Sequence, residues 1–193
     1  SLTIGVMAAL TSTAIGITVG ALAGFYGGLL DDLLMRITEV LFMIPRIFVA
    51  LIVVALFGPA MMNVILVIGL LSWPVIARLV RAEFLSLKER EFVEAARSLG
   101  SSNWDLMFSE ILPNGLAPVV VATSLQVGQA ILIESTLAFL GLGDPTTPSW
   151  GLLLNSAQPW LEKAWWMSFF PGVSLALTVL GLNLVGDGLN DAI

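Results

Sequence analysis

Residues 81–114 read RAEFLSLKEREFVEAARSLGSSNWDLMFSEILPN. Of the 8 basic and 14 acidic residues in the chain, nearly half fall in this one stretch. Charge-free runs border it at 47–77 and 111–133, and two more occupy 1–30 and 164–186. A bilayer-spanning helix needs roughly 20 mainly apolar residues, and each of these runs is long enough. The pattern is that of an all-α, polytopic membrane helix bundle that carries one charged excursion out of the lipid.

The composition of the 193 residues agrees. The chain is 58% hydrophobic and 11% charged, with a mean hydropathy of +0.97, whereas a soluble domain is roughly a quarter charged. An ordinary soluble globule and a disordered tail are excluded. A net charge of −6 leaves no basic footprint for nucleic acid. Cysteine and histidine are absent, so there is no disulfide framework, no Cys/His metal site and no thiol or imidazole catalysis. No catalytic residue, metal ligand or cofactor of its own is expected.

Apolar length and breakers place five spans, at about 2–25, 37–57, 62–80, 115–140 and 165–185. The chain opens at Ser1 inside an apolar run that is too long, and lacks the basic start, for a signal peptide. The expectation is a single transmembrane domain over 1–193, a piece of a longer membrane protein whose sixth, N-terminal span precedes Ser1. Lys and Arg favour the cytosolic side. With alternating loops, Arg36, Arg46, Arg78, Arg81, Lys88, Arg90 and Arg97 fall on one side and Lys163 on the other. The 81–114 stretch therefore faces the cytosol. Trp150, Trp160, Trp165 and Trp166 then gather at the outer interface, where indoles prefer to sit.

Within the charged stretch, Leu85, Phe92, Ala95, Ala96 and Leu99 recur at helical spacing. Gly100 ends that helix, as a C-terminal glycine does. Ser102-Asn103-Trp104-Asp105 has the form of a capping box opening a second short helix, which Leu112-Pro113-Asn114 closes. The result is an elbow at about 84–113, its 84–99 helix continuing toward the third span. Its apolar stripe either lies on the protein's own helix ends or fits a groove in a partner.

Glu94-Ala95-Ala96, then Gly100, then Ile111-Leu112-Pro113 resembles the EAA loop of ABC-importer permeases. One departure stands out: Ile111 adjoins Leu112 directly, where the family pattern has one residue between, and Glu110 takes the earlier slot. The segment Glu134 to Gly143 (ESTLAFLGLG), then Pro145, Pro148, Ser149, Trp150 and Gly151, and the run Asn183 to Leu189, are similar to the second, C-type permease of peptide/nickel importers. The resemblance implies a type I importer permease fold. It implies transport of peptides, or of nickel and related solutes, across a bacterial or archaeal cytoplasmic membrane. The implied partners are a second homologous permease, two cytosolic ABC ATPases that bind the ATP and magnesium, and an extracytoplasmic solute-binding protein. The coupling residues it implies are Glu94, Ala95, Ala96, Gly100, Ile111, Leu112 and Pro113.

In the fourth span, Thr123, Gln126, Ala130 and Glu134 share a helical stripe, with Gln129 beside it. Polar groups at such depth either line an aqueous path for solute or bond neighbouring helices. Arg46, after Pro45, is placed to snorkel toward the cytosol or to pair with Glu39 two turns away. Asp31-Asp32 reads as a solvated turn and helix cap, and Asp187 and Asp191 as solvated. The outer segment 141–164, with Pro145, Pro148 and Pro159 among its tryptophans, reads as folded and interfacial. Resemblance has it face the binding protein or cap the path; a re-entrant anchor at 150–154 is the plain alternative.

Two other functions were weighed. Gly141-Leu142-Gly143-Asp144 matches the Gly-x-Gly-Asp signature of intramembrane aspartyl proteases. That chemistry needs a second carboxylate sharing a proton, and no span holds another Asp in its membrane core. An ATP-independent secondary transporter accommodates Gly58-Pro59 and Glu134 but gives the elbow no purpose. No Gly-x-x-x-x-Gly-Lys-Ser/Thr phosphate loop occurs, so any ATP dependence belongs to another chain.

Overall fold

The computed structural model describes residues 1–192, with side chains as far as Leu189. The expectation for Asp191 lies outside the described side chains. Asp187 is exposed, as its solvated reading requires. In chain order the elements are α1 (Leu2–Tyr26), α2 (Gly28–Met43), α3 (Arg46–Phe57), α4 (Met61–Leu87), α5 (Glu91–Ser98) and α6 (Asn103–Asp105). A π-helical stretch (Leu106–Ile111), α7 (Leu112–Asn114) and α8 (Leu116–Leu137) follow, and a second π turn (Ala138–Leu142) ends α8. Then come α9 (Trp150–Ala157) and α10 (Trp166–Ala192). Four helices are long and apolar enough to cross a membrane, or five when the bent pair α2–α3 counts as one span.

The centre of the bundle is the parallel pair α1 and α4. In lipid there is no hydrophobic drive between helices, so close packing of small residues does the joining. Gly16, Gly20 and Gly24 place α1 directly on α4. A β-carbon at Gly20 falls 2.5 Å from the Ala77 carbonyl, and one at Gly24 falls 2.6 Å from the Phe84 β-carbon. Polar side chains fasten α8 to both: Ser12 Oγ donates to Gln126 Oε1 at 2.5 Å, and Gln126 Nε2 donates to the Ser72 carbonyl at 3.1 Å. Thr13 and Thr123 hydroxyls meet at 2.9 Å. Around them, Ile4, Ala8, Ala50, Val54, Val64 and Leu137 pack at one end, and Ala21, Ile76, Val80, Phe84, Val93, Leu106 and Ile111 at the other.

The second span departs from expectation. The sequence predicts one span at about 37–57; the helix instead starts at Gly28 and breaks completely before Arg46. Pro45 has no N–H to continue the ladder and pushes Ile44 out of helical conformation (φ −81°, ψ 123°). α3 turns 80° away from the line of α2. At 1.5 Å per residue, α2 is about 24 Å long, α3 about 18 Å, and α4 from Met61 to Arg81 about 30 Å. Legs of these lengths, so bent, roughly span that stretch of α4, which sets the Ile44–Pro45 apex off from it. Arg46 does not pair with Glu39; its guanidinium lies 5.9 Å from the Phe42 ring centre, and Arg78 lies 5.2 Å from the same ring. Asp31 is likewise a correction: it is buried and bound to Arg81, not solvated.

The opposite end is folded, as the Pro- and Trp-rich composition suggested. Gly141 reverses the chain (φ 86°). The exposed Phe139 carbonyl accepts from Asn155 Nδ2 at 2.7 Å and Gln158 Nε2 at 3.3 Å. Ser149 Oγ caps α9 by accepting from the Leu152 amide.

Candidate coupling elbow and polar stripe

The elbow begins where α4 stops. A helix running unbroken over 84–99 was expected; α4 instead ends at Leu87 and α5 starts at Glu91. Glu91 and Glu94 in the first turn of α5 and Arg97 in its last complement a helix dipole that starts afresh at 91. Lys88 Nζ turns back to the Gly24 carbonyl at 3.0 Å, tying the turn to the end of α1.

The end of α5 is a Schellman motif. The Gly100 amide donates to the Arg97 carbonyl at 3.1 Å and the Ser101 amide to the Ala96 carbonyl at 3.2 Å. This requires a left-handed residue at 100, and Gly100 has φ 92°. The capping box forms as its sequence announced: Ser102 Oγ accepts from the Asp105 amide at 3.2 Å, and the Ser102 amide donates to Asp105 Oδ2 at 3.3 Å. Pro113 then removes the N–H that would bond the Ser109 carbonyl, and the helix just ahead of it widens into a π turn.

Two faces result. Val93, Leu106, Met107 and Ile111 are fully buried against Ile76, Val80 and Phe84 of α4 and Val119 of α8. The other face carries exposed Glu94, Ala95, Gly100 and Pro113, with Ala96 and Leu112 half-buried between. Phe92, Leu99 (88% exposed) and Trp104 point outward as well, Trp104 stacked on Phe108 at 5.2 Å between ring centres. Part of the elbow's apolar surface thus lies on the protein's own helix ends, and part is exposed. Val93 was missed from the stripe, and Ile111, whose register is unusual, is an inward anchor.

The polar stripe of α8 is not one surface. Thr123 and Gln126 are engaged with α1 and α4, through Ser12 and Thr13, which sequence reasoning passed over in a Gly-rich helix. Gln129 is exposed. Glu134 is buried and accepts one hydrogen bond, from Ser135 Oγ at 3.4 Å. It borders a cavity of about 10 Å³ together with Ile4, Met61, Leu142 and Asp144. Asp144 is otherwise occupied: Oδ1 accepts from the Thr146 hydroxyl (2.6 Å) and amide (2.9 Å), and Oδ2 from the Met61 amide (3.3 Å). The Thr146 hydroxyl first, then the Thr146 and Met61 amides, hold its carboxyl below the usual carboxylate range.

The sequence profile of the binding-protein-dependent transport system inner membrane component matches residues 16–193. The chain belongs to this family. It is 43% identical to the glutathione transport system permease protein GsiD of Pectobacterium atrosepticum and 41% identical to the dipeptide transport system permease protein DppC of Alkalihalophilus pseudofirmus. Each match takes in all of this chain and 64% of the relative, so the chain spans a little under two thirds of their length. Both relatives are named as transport system permeases. In fold, the chain resembles an inward-facing methionine transporter, MetNI (TM-score 0.73, 20% identity, 99% of this chain and 91% of the other). It also resembles an amino acid ABC transporter crystallised with histidines (TM-score 0.69, 14% identity, 100% and 90%). This family of inner-membrane components thus accounts for the helix bundle.

Proposed function

We propose that the chain is one permease half of an ABC importer for short peptides, the C-type member of a heterodimer, in a bacterial or archaeal cytoplasmic membrane. A second permease completes the path, two cytosolic ATPases supply ATP and magnesium, and an external binding protein delivers solute. The named relatives that carry peptides and glutathione support the solute class.

The observation that carries this reading is the two-sided elbow. Its inward residues, Val93, Leu106, Met107 and Ile111, share one packed cluster with α4 and α8. Close-packed interiors transmit displacement because they do not deform continuously. A push on the outward face, at Glu94, Ala95 and Leu99, therefore moves both spans together. Gly100 sets the turn between the two short helices, Ala96 and Leu112 bridge the faces, and Pro113 closes the elbow on its exposed side. The path lies along α8, with Gln129 facing it, Thr123 and Gln126 keeping its wall in register, and Glu134 at its outer end.

The test is uptake and ATP hydrolysis by the assembled transporter in proteoliposomes. Glu94→Lys and Gly100→Pro are expected to insert and assemble normally while ATP hydrolysis no longer drives uptake. Uptake at the wild-type rate by both variants overturns the role given to the elbow.

A further inference from the structure

Between α2 and α4, inside the Pro45 corner, lies a cleft of about 390 Å³. Asp31, Asp32, Met35, Arg36, Glu39, Arg78 and Arg81 line it. Asp32, Arg36 and Glu39 recur at four- and three-residue spacing, one face of α2, and Arg78 and Arg81 lie three apart on α4. Three carboxylates and three guanidiniums share a single wall in a chain whose spans are otherwise almost free of charge.

These charges are not spent on one another. Among the described residues, the Arg81–Asp31 contact is the one ion pair within 4 Å. That leaves Arg36 and Arg78 on one side of the balance and Asp32 and Glu39 on the other, all four exposed to the cleft. Unpaired charges at membrane depth cost several kcal/mol unless they face water or a ligand. Glu39 lies about 17 Å along α2 from its start, and it is exposed along with Asp32, Arg36 and Arg78, as charges that face water are. Its volume falls in the range of small-molecule sites, about 300–1,000 Å³. The remaining charges are equal and opposite. A lone anion or cation therefore meets as much repulsion as attraction, whereas a ligand bearing both charges satisfies both sets.

We propose that this cleft is a cytosolic-side docking site for a zwitterion. The free carboxylate of a short peptide faces Arg36 and Arg78, its ammonium faces Asp32 and Glu39, and Met35 supplies apolar contact between them. The Asp31–Arg81 pair fixes the cleft's width. This assignment rests on the peptide-permease reading and adds to the α8 path a second place, between α2 and α4, where this chain holds the solute.

No cysteine occurs in these 193 residues, which suits a thiol reporter, any cysteine elsewhere in the full chain being first replaced by serine. Met35→Cys, in the assembled transporter in inside-out vesicles, places one thiol of this chain in the cleft, read on this chain's own band after electrophoresis. A membrane-impermeant methanethiosulfonate is expected to modify it, and dialanine to slow that modification about tenfold. N-acetyl-dialanine, dialanine amide and N-acetyl-dialanine amide each lack a charge and are expected to protect less than twofold. Adding Arg78→Gln or Arg36→Gln to the reporter should abolish protection by dialanine. A thiol that the impermeant reagent cannot reach shows a cleft filled by lipid or by another chain and overturns the proposal. Equal protection by the neutral and zwitterionic peptides overturns it too. Wild-type uptake of dialanine in parallel separates the two levels: uptake without charge-dependent protection removes only the docking site, and no uptake of any peptide removes the functional reading with it.

Discussion

Arg81 donates from Nε and Nη2 to the two carboxylate oxygens of Asp31, each at 2.6 Å. The contact joins residues fifty positions apart and fixes the first turn of α2 to the last third of α4. A two-pronged pair of this kind gives direction as well as attraction.

Its strength lies between two limits. Exposed ion pairs contribute up to about 1 kcal/mol, and breaking a buried one costs about 3–5 kcal/mol. The Arg81 side chain is 33% exposed and that of Asp31 12%, so Asp31→Asn is expected to destabilise by about 1–2 kcal/mol. Thermal unfolding in detergent, run as a double-mutant cycle with Arg81→Gln, measures it. A coupling energy indistinguishable from zero removes the pair from the account of how α2 is held.

Gly20→Val should separate α1 from α4. The added carbon meets the Ala77 carbonyl and the Val80 β-carbon at 2.5 and 2.7 Å, and overpacking costs about 1–3 kcal/mol. Gly172→Ala in α10 meets nothing within 4 Å and is expected to be neutral or slightly stabilising, because Ala is the better helix former. Melting temperatures of the two variants should diverge; equal values contradict the close approach.

The elbow's two faces predict opposite phenotypes. Val93→Ala removes methyl groups from a fully buried site and should cost about 2 kcal/mol, read as faster proteolysis of 88–102. Leu99→Ala, 88% exposed, should leave proteolysis unchanged and lower uptake per ATP hydrolysed. The converse pattern reverses the assignment of faces.

Asp144 predicts a pH window. Its carboxyl is held below the usual range, so the turn it stabilises is intact above about pH 4 and is lost only as pH falls through the lowered value. Hydrogen exchange at the Thr146 and Met61 amides, corrected for intrinsic rates, should show constant protection from pH 8 to 5. Asp144→Ala should lose that protection throughout. Protection that declines between pH 7 and 5 in the wild type runs against the assignment.

Spans were legible because apolar length is local and additive, and the caps at Gly100 and Ser102 because their partners lie within a few residues. The inward role of Val93 was not. A stripe built on Leu85, Phe92 and Leu99 presupposes one helical phase, and the break at 88–90 resets that phase. Asp31, Ser12 and Thr13 were misjudged or missed for a different reason: their partners Arg81, Gln126 and Thr123 are 50 to 114 residues away. Nothing in the local pattern of α1 or α2 announces them. At Pro45 a proline implies a broken ladder but not the size of the bend, since the 80° turn depends on α3 finding α4.

The bent pair also constrains how the protein is made. Neither leg, at about 24 and 18 Å, crosses a hydrocarbon layer of about 30 Å by itself, and α2 carries Asp31, Arg36 and Glu39. Emerging from the ribosome before α4 exists, the 28–57 segment has no Arg81 to meet Asp31, and α3 lacks the helix it mainly packs against. The corner therefore depends on a helix that comes later in the chain, and it is complete only with α4 in place.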